Sequence, residues 1–185
     1  RIYQRLAEPD YAGAIPWKVV HFFWADEHCV PPESEESNYG NCRRFLLGSL
    51  TIPDENIHRI RGEEDPAAES ARYEREIQNH MRLRKNRDDF FDWVFLGVGS
   101  DGHTASLFPG QSALNSANLC EEVSHPQTGQ MRITLTPLAI KKSNQITFHV
   151  IGQGKARIVS ELVSESCKKS GYPAAHIQGE WFLDR

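Results

Sequence analysis

Short apolar runs alternate along the chain with amphipathic stretches of helical spacing. Lys18 to Trp24 (KVVHFFW) follows Pro16 and is rich in β-formers, which predicts a strand. Ala25 to Glu36 is polar, carries Pro31-Pro32, and predicts a loop. Ser37 can cap a helix that turns Cys42, Phe45 and Leu46 to one side, at i, i+3 and i+4. Ile57 to Ile60 predicts a short strand, and Pro66 suits the first turn of a helix running to about Arg84. Tyr73, Ile77, His80 and Met81 line one side of that helix and charged residues cover the rest, as on a solvated surface helix. Trp93 to Val98 (WVFLGV) is apolar almost throughout, the pattern of a parallel strand covered on both faces. Gly99 to Gly110 follows as a glycine-rich loop. Gln145 to Ile151 predicts a strand, Gln153-Gly154 opens a helix with Ile158, Val159, Leu162 and Val163 inward, and Trp181 to Leu183 predicts a last strand.

Strands alternating with helices imply right-handed βαβ units and a mostly parallel sheet. The expected fold class is α/β, a Rossmann-like three-layer α/β/α arrangement, in one domain spanning residues 1–185. Arg1 to Ala7 reads as the middle of a helix with no cap before it. The expectation is therefore that upstream residues, and an N-terminal part of the fold, are missing from this stretch.

Composition narrows the function. With 21 Lys and Arg against 25 Asp and Glu the formal charge is −4, which argues against a nucleic-acid partner. Cys29, Cys42, Cys120 and Cys167 form no CxxC pair and no zinc spacing. They read as free thiols of a reducing compartment, so a cytoplasmic location is expected. No apolar run reaches the 18 residues of a membrane span, so no membrane partner is expected.

Three places can carry chemistry. Gly97-Val-Gly99-Ser100-Asp101-Gly102 matches G-x-G-x-x-G, but a dinucleotide site needs a helix opening at the last glycine, and Pro109-Gly110 stop any helix early. A loop after a parallel strand is instead where α/β folds place their sites. His103 in that loop can exchange a proton near neutral pH, with Asp101 two residues away to orient it. Asp26-Glu27-His28-Cys29 would be a second strand-end loop offering a carboxylate to the same cleft, because consecutive residues point apart and make a poor metal site. Arg132 and Lys155 form the third. A lysine in the first turn of a helix is unfavourable against the positive helix end unless an anion shares the site, which suggests phosphate.

As an ordered set these segments resemble the 6-phosphogluconolactonase family. The resemblance rests on Asp26-Glu27-His28-Cys29-Val30-Pro31 with Ser37-Asn38-Tyr39, and on Leu96-Gly-Val-Gly-Ser-Asp-Gly-His-Thr-Ala-Ser-Leu-Phe-Pro-Gly110. It continues through Arg132-Ile-Thr-Leu-Thr136, Gly152-Gln-Gly-Lys155-Ala156, Tyr172-Pro173-Ala-Ala175 and Trp181-Phe-Leu-Asp184. It implies hydrolysis of a phosphorylated sugar lactone, 6-phosphogluconolactone, in the oxidative pentose phosphate route, with no metal or organic cofactor; separately, a monomer is expected. His103 would be the general base, with Asp26 and Asp101 orienting groups in the cleft. Arg132 and Lys155 would hold the phosphate, with His28, Asn38, Gly99, Ser100 and Gly102 as further substrate contacts. Two departures stand out. The family usually has arginine where this chain has His28, and a glycine/serine/threonine phosphate loop ahead of the helix at residues 1–7 is not in this stretch. The related glucosamine-6-phosphate deaminases carry a glutamate five residues after the histidine, where this chain has Phe108. That residue weighs against an isomerase, and His103 weighs against a non-catalytic sugar-phosphate sensor.

Overall fold

The computed structural model describes residues 2–83, 89–164 and 171–184. Three small sheets organise it. β4 (Trp93–Leu96), β7 (Gln145–Val150) and β8 (Glu180–Leu183) lie parallel in the order β4-β7-β8. β1 (Phe22–Phe23) pairs in parallel with β3 (Ile57–His58). The third sheet is antiparallel, with β6 (Met131–Leu135) between β2 (Asp26–His28) and β5 (Cys120–Ser124). The α/β class with mostly parallel pairing holds, and the antiparallel sheet is an addition to it.

Around the sheets lie α1 (Ile2–Leu6), α2 (Pro9–Ala12), α3 (Asn38–Phe45), α4 (Pro66–Leu83), α5 (Pro137–Lys141) and α6 (Ala156–Val163). None of these is long and apolar enough to cross a membrane, among the described residues. The helix α4 packs on β5 and β6. Its Tyr73 and Ile77, four residues apart, are fully buried. The Tyr73 hydroxyl accepts from the Trp24 N–H at 2.7 Å and donates to the Trp24 carbonyl at 3.0 Å. That clasp fixes the chain between β1 and β2, just before Asp26. One cluster of buried apolar side chains runs from Trp24 to Ile177 and includes Cys42 and Cys120, both free thiols. Cys167 and Arg84 lie outside the described residues.

Several sequence expectations change. Residues 17–19 form a 3-10 turn, so the strand expected over Lys18 to Trp24 shrinks to β1. The stretch from Ala25 expected to be loop contains β2. Asp, Glu and His are poor strand formers, yet their backbone pairs with β6, and pairing outweighs propensity. The strand β4 alternates instead of being buried on both faces: Val94 and Leu96 are inside, whereas Trp93 and Phe95 are each 48% exposed. Phe45 and Val163, expected inward, are exposed, because each sits at the last turn of its helix where the apolar stripe has rotated off the core. No helix opens at Gly102. The segment after it runs as turns to a short 3-10 helix at Ser112–Asn115, so the geometry a dinucleotide fingerprint needs is not there.

Candidate active site

The loop after β4 is shaped by two glycines. The Gly99 N–H donates to the His103 carbonyl at 2.8 Å, closing the loop on itself. A Cβ on Gly99 would lie 2.2 Å from the His103 ring, so only glycine lets the imidazole fold back there. Gly102 has φ +78° and packs beneath the Tyr172 ring. Ala105 also takes a positive φ of 49°, a conformation rare without glycine and frequent at functional loops.

Within this loop His103 Nδ1 lies 2.6 Å from Asp101 Oδ1. With Asp101 accepting, the proton sits on Nδ1 and the lone pair on Nε2, the tautomer a general base needs. Partial burial pushes the Asp101 carboxyl up, but the His103 ring and N–H outweigh that and hold it below the usual range. The His103 ring leans on Phe108 at 4.8 Å between centroids, and Phe108 is fully buried.

The opposite wall is β2 and its neighbour β6. Successive residues of a strand face opposite ways. Asp26 and His28 face the cleft, and Glu27 turns away into the base of α3. Asp26 Oδ2 accepts from Ser106 Oγ at 2.8 Å, and Asn38 Nδ2 donates to the Asp26 carbonyl at 2.9 Å. Burial raises the Asp26 carboxyl above the usual carboxylate range, and Ser106, His28, Arg132 and His103 offset only part of that rise.

His28 and Arg132 are direct cross-strand partners. His28 Nδ1 and Arg132 Nε are buried without a hydrogen-bond partner. Buried polar atoms are nearly always satisfied, so two orphans side by side mark a place for a polar ligand. The rest of the Arg132 guanidinium reaches Gln130 Oε1 at 3.3 Å and lies over Phe108 at 5.9 Å from the ring centre. Lys155 sits at the N-terminal boundary of α6, across the cleft.

Together Asp26, His28, Asn38, Gly99, His103, Arg132 and Lys155 line one cavity of about 370 Å³. Asp101 reaches it only through His103. Ser100 is exposed and outside it, and Gly102 spends its N–H on the Gly99 carbonyl, so these two support the loop and do not line the cleft. A second cleft of about 340 Å³ between α4 and β5 is lined by Ser70, Glu74, Arg75 and Glu121 but contains no histidine.

Two residues went unassigned in the sequence. Ser106 orients Asp26. Glu27, 1% exposed, accepts from the N–H groups of His28, Asn38 and Tyr39 and from the Ser37 hydroxyl. An acidic residue before a Ser-Asn-Tyr helix start was the available signal, but which end of which helix it caps needed the fold.

The profile of the family described as glucosamine-6-phosphate isomerases/6-phosphogluconolactonase matches residues 1–183. The chain belongs to this family. It is 42% identical over 189 residues to the 6-phosphogluconolactonase of Haemophilus influenzae, covering 100% of the chain and 79% of that protein. The crystal structure of the devB protein superposes with a TM-score of 0.92 at 41% identity, over 99% of this chain and 79% of that one. The 6-phosphogluconolactonase structure from Thermotoga maritima gives 0.82 at 30% identity, over 100% of this chain and 79% of that one. The family contains isomerases as well as lactonases, so the residues of the cleft must separate them. Phe108 puts an apolar ring beneath His103 and Arg132 and offers no second acid–base group there.

His28 gives a pH dependence. Burial, then Arg132, lowers its pKa below the ordinary histidine value, and burial does the same to His149. A base whose folded pKa is depressed contributes stability that is fully present above its unfolded value of about 6.5 and is lost as pH falls from there through the lower folded pKa. We expect the melting temperature to drop as the pH goes from about 7 to 5.5, and the slope to flatten in His28→Gln. Thermal melts across that range are the check; an unchanged slope in the variant would mean that His28 titrates normally.

Proposed function

We propose that this chain hydrolyses 6-phospho-D-glucono-1,5-lactone to 6-phosphogluconate, the lactone-opening step of the oxidative pentose phosphate route, as a monomer in the cytoplasm. The observation that carries the reading is the His103–Asp101 pair opening onto the cavity that holds Arg132, His28 and Lys155.

The chemistry follows from those positions. Arg132 and Lys155 take the phosphate, and anchoring it fixes the lactone ring relative to His103. His103 Nε2 accepts a proton from water as the water oxygen bonds to the lactone carbonyl carbon. Negative charge then develops on the carbonyl oxygen. The Gly99 N–H is already committed to the His103 carbonyl, and His28, whose Nδ1 has no hydrogen-bond partner, is the donor we assign to that oxyanion. A donor of this kind contributes roughly 3 kcal/mol. The bond from the carbonyl carbon to the ring oxygen breaks, and His103 returns its proton to that oxygen. Asp101 stabilises the imidazolium in between, and Asp26 sets His28 and Arg132. Metal and organic cofactors have no part in these steps. Acid release from freshly made lactone tests the reading, and binding without acid release would favour a sensor.

Arg132→Ala and Lys155→Ala should each weaken the phosphorylated lactone far more than unphosphorylated gluconolactone, because a charge-assisted hydrogen bond contributes about 1.5–3 kcal/mol. Steady-state kinetics on both substrates is the measurement. Equal losses on the two would assign these cations a structural role.

A further inference from the structure

A second constellation lies outside the cleft. His21 stands immediately before β1, His58 ends β3, and His80 lies in the last turn of α4. One ligand atom from each ring comes within 4.8 Å of the others, and His21 Nδ1 is 2.9 Å from His58 Nε2. Three residues 37 and 22 positions apart in the chain are brought together where side chains of α4 meet the β1-β3 pair, His80 against Phe23 and His58, and Glu76 against His58.

The arrangement has the features of a metal centre. Nitrogen ligands at about 2.0–2.1 Å from a tetrahedral ion stand roughly 3.3 Å apart, so side-chain rotations of about an ångström would close the set on one ion. His58 Nδ1 faces Glu76 Oε1 at 2.7 Å, and Glu76 is itself held by Arg72. A carboxylate behind a histidine fixes the proton on the far nitrogen and turns the lone pair of the near one to the metal, the usual outer shell of a histidine-ligated ion. Here that near nitrogen is the one facing His21. Phe23 stacks on the His58 ring at 4.2 Å and meets His80 edge-on at 5.3 Å, giving the site an apolar wall. His21 is exposed, which leaves a solvent side for a fourth ligand.

We propose that His21, His58 and His80 form a binding site for a zinc-class divalent ion, with Glu76 as the positioning residue behind His58. Three imidazoles and no thiolate suit zinc, cobalt, nickel or copper(II) over calcium or magnesium. The ion would tie α4 to the β1-β3 pair at a place distinct from the lactone cleft, as a clip on the fold and not a participant in the reaction.

Cobalt(II) added to the metal-stripped chain is the probe, read by its visible ligand-field absorption and by isothermal titration. The expected result is binding of one equivalent, lost or weakened by at least about a hundredfold in His80→Gln and in the exposed, fold-sparing His21→Gln. In Glu76→Gln it should be weakened by about 10–100-fold, as for other outer-shell partners. His176→Gln, an exposed histidine elsewhere, should bind as the parent does. Zinc should raise the melting temperature of the parent chain and leave that of His21→Gln unchanged. No stoichiometric binding, full binding by His21→Gln, or loss only on changing His103 would each overturn the proposal.

Discussion

His103→Ala should lower lactone turnover by at least about a hundredfold, the lower end for removing a general base. His103 is held from three sides: Asp101 at Nδ1, the Phe108 ring against the imidazole, and the Gly99 N–H on its backbone carbonyl. Nothing else lining the cleft can take its place. Asp26 is turned to Ser106 and Asn38, and burial, then the neighbouring Arg132, disfavours the protonated form of His28. Binding of 6-phosphogluconate should change little, since the proposed phosphate clamp is Arg132 and Lys155 and not His103. Turnover and product affinity measured on the same preparation separate the two effects. Near-normal turnover would remove His103 from the mechanism, and joint loss of turnover and affinity would point to collapse of the loop.

Glu27→Ala should be the most damaging change to the fold. Its carboxylate, 1% exposed, accepts from His28 N–H at 2.9 Å, Asn38 N–H at 2.7 Å, Tyr39 N–H at 2.7 Å and Ser37 Oγ at 3.1 Å. Two of these donors belong to the open N-terminus of α3, where an anion also meets the favourable end of the helix dipole. Truncation leaves buried N–H groups without acceptors. Hydrogen bonds to a charged group contribute about 1.5–3 kcal/mol each, so a loss of at least about 3 kcal/mol is expected. At roughly 2–4 °C per kcal/mol for a chain of this size, the melting temperature should fall by about 6–12 °C. Activity should suffer beyond the folded fraction, because Asn38 starts α3 and positions Asp26. Glu27→Gln keeps one acceptor oxygen and should lose less. Chemical denaturation of both variants is the check, and a loss under about 1 kcal/mol for Glu27→Ala would show that solvent can satisfy those donors.

The order of apolar runs and amphipathic stretches determined the α/β class, the positions of β4, β7 and β8, and the long helix α4, because hydrophobic periodicity is a local property of the chain. The glycine pattern and the histidine of the Gly97–His103 segment marked the loop that carries the proposed base for the same reason: a backbone that must turn sharply beside a strand leaves glycines in the sequence. What the sequence could not determine were the features made by pairing between distant segments. β2 looks like a loop when read alone, since Asp26, Glu27 and His28 have little strand preference, and only its register against β6 sets Asp26 and His28 toward the cleft and Glu27 away from it. That register also makes neighbours of His28 and Arg132, 104 residues apart in the numbering of the chain. The bond from Ser106 to Asp26, the cap that Glu27 places on α3, and the meeting of His21, His58 and His80 are of the same kind. Each depends on which elements pack together, and single-residue preferences and short spacings carry no record of that.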